Sequence, residues 1–298
     1  MGAMGAMGAP GDGRVGGAAA RVAPVLAVVN RKGGAGKTSS VHNIAGVWGT
    51  WGLRVCLVDL DTAFNLTEAC GYPEERRQEG GDWLVDGSPE PWPVPGMPNC
   101  ALVPSGARLA DGIERMERLA IDRERYLGKV LAPLRRHFDV LLLDTKPDLD
   151  ISVTGALAAS THVLATALTL PQPIYGVVRS LGLVEDLREG VPDLRVVGFL
   201  PMAYNARGLR PAALGSLVEM AQEYGVTCLP PIPYTEHAGK ESQSHIPVAL
   251  AYRNTAVGQH YRYAAALIGE QLGLAVPAEW LDRGRRLHEQ MLREVLAA

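Results

Sequence analysis

Apolar residues along this chain collect into short unbroken runs, set apart by stretches with helical spacing. Val22–Val29 (VAPVLAVV), Leu53–Asp61 (LRVCLVDLD) and Phe138–Asp144 (FDVLLLD) are runs of this kind. A short apolar run without alternation predicts a strand buried on both faces. Between the first two, Val41, Ile44, Ala45 and Trp48 recur at i, i+3, i+4 and i+7, one face of a helix, with Gly52 as its stop. The proline-rich stretch Tyr72–Asn99 predicts an irregular surface excursion. Cys100–Val103 predicts a short strand, and the charged amphipathic stretch Leu109–His137 predicts two helices. His162–Ala167, Val196–Pro201 and Val226–Ile232 predict further strands, separated by the helix-length segments Val177–Leu187 and Pro211–Tyr224. Strands alternating with helices predict an α/β fold: a single doubly wound, mostly parallel sheet flanked by helices.

No internal repeat or second domain is visible. Residues 1–21, rich in Gly, Ala and Met, read as a flexible tail, residues 22–275 as the domain, and residues 276–298 as a C-terminal amphipathic helix. On that helix Trp280, Leu287, Met291, Leu292, Val295 and Leu296 form an apolar stripe beside Arg283, Arg285, Arg286 and Arg293. A basic amphipathic helix can lie on a membrane. Here Glu279, Asp282, Glu289 and Glu294 dilute the charge, so packing on its own domain is the expected arrangement.

In such sheets ligands sit beyond the carboxyl ends of the strands. The segment after the first strand is Asn30–Ser39, NRKGGAGKTS. Strand, Gly-rich turn and helix together build a phosphate cradle, because glycines let several N–H groups point at one anion and the helix N-terminus adds its positive end. Gly33, Gly34, Ala35, Gly36, Lys37, Thr38 and Ser39 are the candidate nucleotide contacts. Lys37 would reach the β/γ-phosphates and Thr38 would ligate Mg²⁺. Arg31 stands where a strict Walker A loop has its first glycine, and Lys32 adds a second lysine, making a deviant Walker A loop. Lys32 cannot easily crowd the same phosphates from within one subunit, so it is read as acting in trans, with ATP as the glue of a homodimer. Asp59, Asp61 and Asp144 end strands on the same rim: Asp144 and Asp59 suit a metal through its water shell, and Asp61 could position the attacking water.

The 298 residues have 47% apolar and 20% charged residues, values of a soluble globular protein. The net charge of −3 gives no global positive field to draw nucleic acid. Cys56, Cys70, Cys100 and Cys228 contain no C-x-x-C pair, which argues for reduced cytoplasmic thiols and against a zinc site, an iron–sulfur cluster or a disulfide framework.

These residues resemble the ParA/MinD family of deviant Walker ATPases, and the ParA (Soj-like) branch most closely, from about Pro24 to Leu274. N-R-K-G-G-A-G-K-T-S is similar to the family's N-Q-K-G-G-V-G-K-T-T, Val55–Asp61 to its V-L-L-I-D-L-D, and F-D-V-L-L-L-D-T-K-P to its Y-D-Y-I-I-I-D-C-P-P. The resemblance implies ATP and Mg²⁺ as cofactors and a slow, partner-stimulated ATPase. Lys32 would act across an ATP-sandwich dimer, Lys37 and Thr38 on phosphate and Mg²⁺, Asp61 in hydrolysis, and Asp144 as the Walker B acid. Asn205 and Pro233 would border the adenine. It further implies segregation of plasmid or chromosomal DNA, with a ParB-like activator, ATP-gated nonspecific DNA binding and a cytoplasmic, nucleoid-associated location. Arg207 and Arg210 are the candidate DNA contacts. The chain departs from the family at Thr62 and Ala63, at Lys146 in place of a proline, and at Tyr234 and His237 in place of basic residues. Alternatives from other classes are a MinD-like or cargo-positioning ATPase on a membrane or protein matrix, and a nucleotide-gated regulator with little turnover.

Overall fold

The computed structural model describes residues 22–78, 80–169, 182, 191, 193–205, 210–236 and 244–296. Its strands are β1 (Val25–Val29), β2 (Val55–Asp59), β3 (Trp92–Pro93), β4 (Cys100–Val103), β5 (Val140–Asp144), β6 (His162–Leu168), β7 (Arg195–Met202) and β8 (Thr227–Cys228). They form one sheet in the order β3–β4–β2–β5–β1–β6–β7–β8, parallel throughout except for β3 at the edge. The expected α/β architecture is therefore observed. Strand β5 slots between β1 and β2, pairing Val28 with Asp144 on one side and Asp59 with Asp144 on the other.

Alternate residues of the central strands feed two cores. Val25, Ala27, Leu141 and Leu143 face one, while Leu26, Val28, Val140 and Leu142 face the other. Burying one such side chain contributes about 1.5–3 kcal/mol, against strand-propensity differences of ~1 kcal/mol. Two-sided burial is thus the reason these runs carry no polar alternation.

Helix α1 (Lys37–Thr50) packs its apolar face on the second core, with Trp48 fully buried and its indole N–H donating to Ala265 O at 2.9 Å. It ends as expected at Gly52, whose φ of 83° lets Gly52 N reach Gly49 O and Leu53 N reach Trp48 O. The stretch Leu109–His137 differs from the two helices expected. It breaks into α-helices Leu109–Glu117, Tyr126–Leu131 and Leu134–His137 and a 3₁₀ turn at Arg123–Arg125, with Asp122 in a left-handed conformation and Pro133 at the last break.

Tyr72–Asn99 is also more ordered than its composition implies. Trp83, Leu84, Val94 and Met97 are buried, and β3 accommodates Pro93 because an edge strand can spare an N–H. Of Val226–Ile232, Thr227 and Cys228 form β8; Leu229 N and Ile232 N also donate to Phe199 O and Pro201 O of β7, each at 2.8 Å, while Pro230 and Pro231 have no N–H to give. Pro211–Tyr224 corresponds to the helix Arg210–Glu223, whereas Val177–Leu187, apart from Gly182, lies outside the described residues.

The helix Ala278–Leu296 lies on the domain. Met291 is buried in the first core with Leu292 and Val295 against it, and Arg262 and Arg283 stack on Trp280 at 5.5 and 5.3 Å. Met291, Leu292 and Val295 of its apolar stripe thus pack on the protein itself. No described helix is long and apolar enough to cross a membrane.

Candidate nucleotide site

The cleft of about 670 Å³ above the carboxyl ends of β1, β2 and β5 is lined by Gly33–Ser39, His42, Asp61–Ala63, Asn65, Glu68, Ala69 and Lys146–Asp148. The loop leaves β1 at Asn30, which is buried and anchored at both ends of its amide. The amide Nδ2 donates to Thr166 O at 2.6 Å, and Oδ1 accepts from Lys32 N at 2.7 Å. The loop thus leaves β1 in a fixed direction and returns at Gly36, whose φ of 84° few residues with a Cβ adopt. An added Cβ there would also lie 2.8 Å from Met202 Cε.

Helix α1 opens into the cleft at its N-terminus. Lys37 is buried, and burial lowers its pKa against the opposing pull of Asp144, Asp61 and Asp148. Thr38 Oγ1 donates to Asp144 Oδ2 at 2.6 Å. The second oxygen of Asp144, Oδ1, is buried without a partner. Burial, reinforced by Asp59, raises the Asp144 pKa well above the ordinary carboxylate range. Asp59 is also fully buried, and burial pushes it up to about 6 although Thr67 N, Thr67 Oγ1 and Asp61 N donate to it at 2.8, 2.7 and 3.1 Å. Thr67 Oγ1 in turn accepts from Ser105 N at 2.8 Å, and Ser105 Oγ donates to Asp61 O at 2.7 Å. This network fixes the backbone that carries Asp61, whose own carboxylate accepts from Ala63 N at 2.9 Å and stays partly open to the cleft.

A hydroxyl beside a carboxylate with a spare buried oxygen suits a hard, oxygen-seeking cation such as Mg²⁺. Among the described residues no three His, Cys, Asp or Glu side chains converge as a metal cage. That is the arrangement of sites where Mg²⁺ takes most of its ligands from phosphate and water.

Across the loop lies a second, more apolar cavity of about 190 Å³. It shares Gly34, Gly36 and Ser39 with the cleft and is walled by Met202, Ile232, Pro233, Val257 and Tyr261. Pro233 lines this cavity, which has room for a small apolar group. Asn205 is exposed and does not line that cavity. Lys32 is exposed and outside the cleft lining. Arg207 and His237 lie outside the described residues, and Arg210 opens the helix Arg210–Glu223. Sequence reasoning missed Thr67, Ser105, Asp148 and His42. Thr67 and Ser105 gave a signal, Thr67 within Asn65–Thr67 and Ser105 within V-P-S-G-A-R-L-A (Val103–Ala110), both similar to segments of the family.

A Gly-rich turn from a parallel strand into a helix, a lysine and threonine at that helix start, and a strand-end carboxylate bonded to the threonine define a P-loop nucleotide-binding protein. Residues 23–194 match the family model described as an AAA domain, and the chain belongs to that family, in its ParA/MinD branch. Protein IncC of Escherichia coli is 27% identical over 60% of this chain and 49% of its own length. A ParA family protein of Chlamydia trachomatis is 26% identical over 56% of this chain and 66% of its own. The chain thus spans about half to two-thirds of these two curated relatives. Cobyrinic acid a,c-diamide synthase of Mycobacterium smegmatis, solved with ADP and magnesium, is 30% identical, covers 78% of this chain and 95% of its own, and superposes with a TM-score of 0.64.

Proposed function

We propose that this protein is an ATP- and Mg²⁺-dependent ATPase of the ParA type, acting in DNA segregation through an ATP-gated homodimer. The observation that carries this reading is the Thr38–Asp144 pair beneath a deviant Walker A loop, with the spare Asp144 oxygen facing no protein partner. Thr38 would hold Mg²⁺ directly, with Asp144 and Asp59 acting through water. When bound, the ion neutralises charge on the β- and γ-phosphates. Lys37 holds the same phosphates, the loop N–H groups orient them, and Asp61 positions the attacking water. The apolar cavity beside Pro233 receives the adenine. Lys32 reaches the nucleotide of the second copy, in keeping with its exposure outside its own cleft. The proposed unit is residues 22–275 with the tail before it and the terminal helix, residues 276–298, packed on it.

Nonspecific DNA is the proposed matrix, with Arg207 and Arg210 as contacts, and a ParB-like protein the proposed activator of slow turnover. The packing of Met291, Leu292 and Val295 of the helix Ala278–Leu296 on the domain favours this matrix over a membrane. An amide-forming reading, raised by the name of the M. smegmatis relative, would need a nitrogen source. A cysteine-dependent release of ammonia from glutamine would need an accessible thiolate, and all four cysteines are buried, with burial pushing Cys100 and Cys228 up to about 12.

The test is co-sedimentation with nonspecific duplex DNA, with ATP, ADP or no nucleotide, alongside the ATPase rate. ATP-dependent DNA binding with weak basal hydrolysis is expected. ATP-dependent dimers that ignore DNA would transfer the reading to a membrane or protein matrix, and hydrolysis held at background with DNA and partner present would make the protein a nucleotide-gated regulator.

A further inference from the structure

The loop Thr145–Asp150 faces the phosphate cradle and carries a charge that the site described so far does not use. Lys146 lines the same cleft as Lys37, Thr38 and Asp61. Its ammonium is ion-paired with Asp150 Oδ2, and the two side chains are only 18% and 21% exposed. Asp150 divides its oxygens. Oδ1 caps the helix Ile151–Ala159, accepting from Ser152 N at 3.0 Å and Ser152 Oγ at 2.6 Å, while Oδ2 takes the lysine.

Lys37 is already drawn by Asp144, Asp61 and Asp148. Among the residues that line the cleft, the lysines are Lys37 and Lys146, set against Asp61, Glu68 and Asp148. A nucleoside triphosphate brings several more negative charges into this space. An ammonium on a flexible stem makes charge-assisted bonds to phosphate as it does to carboxylate, so a phosphate in the cleft competes with Asp150 for Lys146.

We infer that Lys146 is a second phosphate-binding lysine supplied in cis, exchanged between Asp150 and the terminal phosphate of a bound nucleoside triphosphate. The inference rests on the nucleotide-site reading and deepens it. With a diphosphate bound, Lys146 stays on Asp150. With a triphosphate bound it moves to the added phosphate, and Asp150 keeps its capping bonds but loses its counter-ion. The third phosphate is thereby reported to the loop Thr145–Asp150 and to the helix it caps. A proline at position 146 could do none of this.

The test is calorimetric titration of the full chain with a non-hydrolysable ATP analogue and with ADP, both with Mg²⁺, for the parent, Lys146→Met, Lys146→Arg and Asp150→Asn. Lys146→Met should weaken the triphosphate roughly tenfold or more, the worth of one charge-assisted bond, and leave ADP unchanged. Lys146→Arg should restore most of that loss. Asp150→Asn, in which asparagine still caps the helix, should tighten the triphosphate because the lysine is released. A lysine that merely braces the loop gives another pattern: Lys146→Met and Asp150→Asn both shift in one direction, equally for both nucleotides. That pattern overturns the inference while leaving the nucleotide site intact. A parent protein that binds neither nucleotide overturns both.

Discussion

His42 sits on α1 one turn beyond Thr38, fully buried, with neither ring nitrogen hydrogen-bonded. Burial, with a smaller contribution from His245, depresses its pKa from 6.5 to about 3. A depressed value means the folded state resists protonation, so the contribution of His42 to stability is complete above pH 6.5. It is lost as the pH falls toward 3. The whole span corresponds to about 5 kcal/mol at ~1.36 kcal/mol per pH unit. Between pH 7.5 and 5 the loss comes to about 2 kcal/mol. The perturbation is His42→Leu, which keeps an apolar side chain of similar size and removes the titration. At pH 7.5 the variant should be at least as stable as the parent, because leaving buried polar atoms unpaired costs about 1–3 kcal/mol. At pH 5 its advantage should widen by about 2 kcal/mol. Asp59 and Asp144, whose pKa values are raised, push stability the opposite way in both proteins and cancel in the difference. The assay is urea unfolding at the two pH values, followed by the fluorescence of the buried Trp48 among other tryptophans. Stability profiles that run parallel between pH 7.5 and 5 would refute the reasoning.

Lys32→Ala should abolish ATP-dependent dimerisation; an unchanged dimer by light scattering would remove the trans role. Asp61→Ala should bind ATP and stay dimeric while hydrolysis falls by roughly 100-fold, and turnover at the parental rate would show that another group positions the water. Gly36→Ala should lose nucleotide binding, since its φ of 84° and the 2.8 Å approach of Met202 oppose a Cβ. Gly52→Ala has a similar φ of 83° but open space around it, so it should cost about 1–2 kcal/mol of stability and leave nucleotide affinity alone. Equal binding losses in the two alanine variants, measured by calorimetry, would show that backbone conformation at Gly36 is not specific to the site.

The apolar runs and the Gly-rich loop carried the fold class and the phosphate end of the site because both are local. A strand buried on both faces has no polar partner to hide its pattern, and a phosphate cradle needs its glycines, lysine and threonine within one turn. Where the chain was misread, the deciding contacts were distant. The prolines of Tyr72–Asn99 read as surface, yet Trp83 donates to Pro104 O at 2.8 Å and Leu84 is fully buried. Likewise the stripe on the last helix was legible, but only Met291 settling into the core showed what covers it.

By itself, then, the sequence determined the alternation of strands and helices, the Gly-rich turn Asn30–Ser39 between a strand and a helix, and the placing of Asp59 and Asp144 at strand ends, whereas Asp61, read as a strand end, lies two residues past β2. The tertiary structure alone decided that β5 inserts between β1 and β2. That pairing sets Asp144 beside Asp59 in register and within 2.6 Å of the Thr38 hydroxyl. It also brings Lys146 and Asp148 to the rim of the cleft. Strand order is set by which faces bury together, a property of the whole sheet, whereas a turn or a helix start is set by neighbours a few residues away.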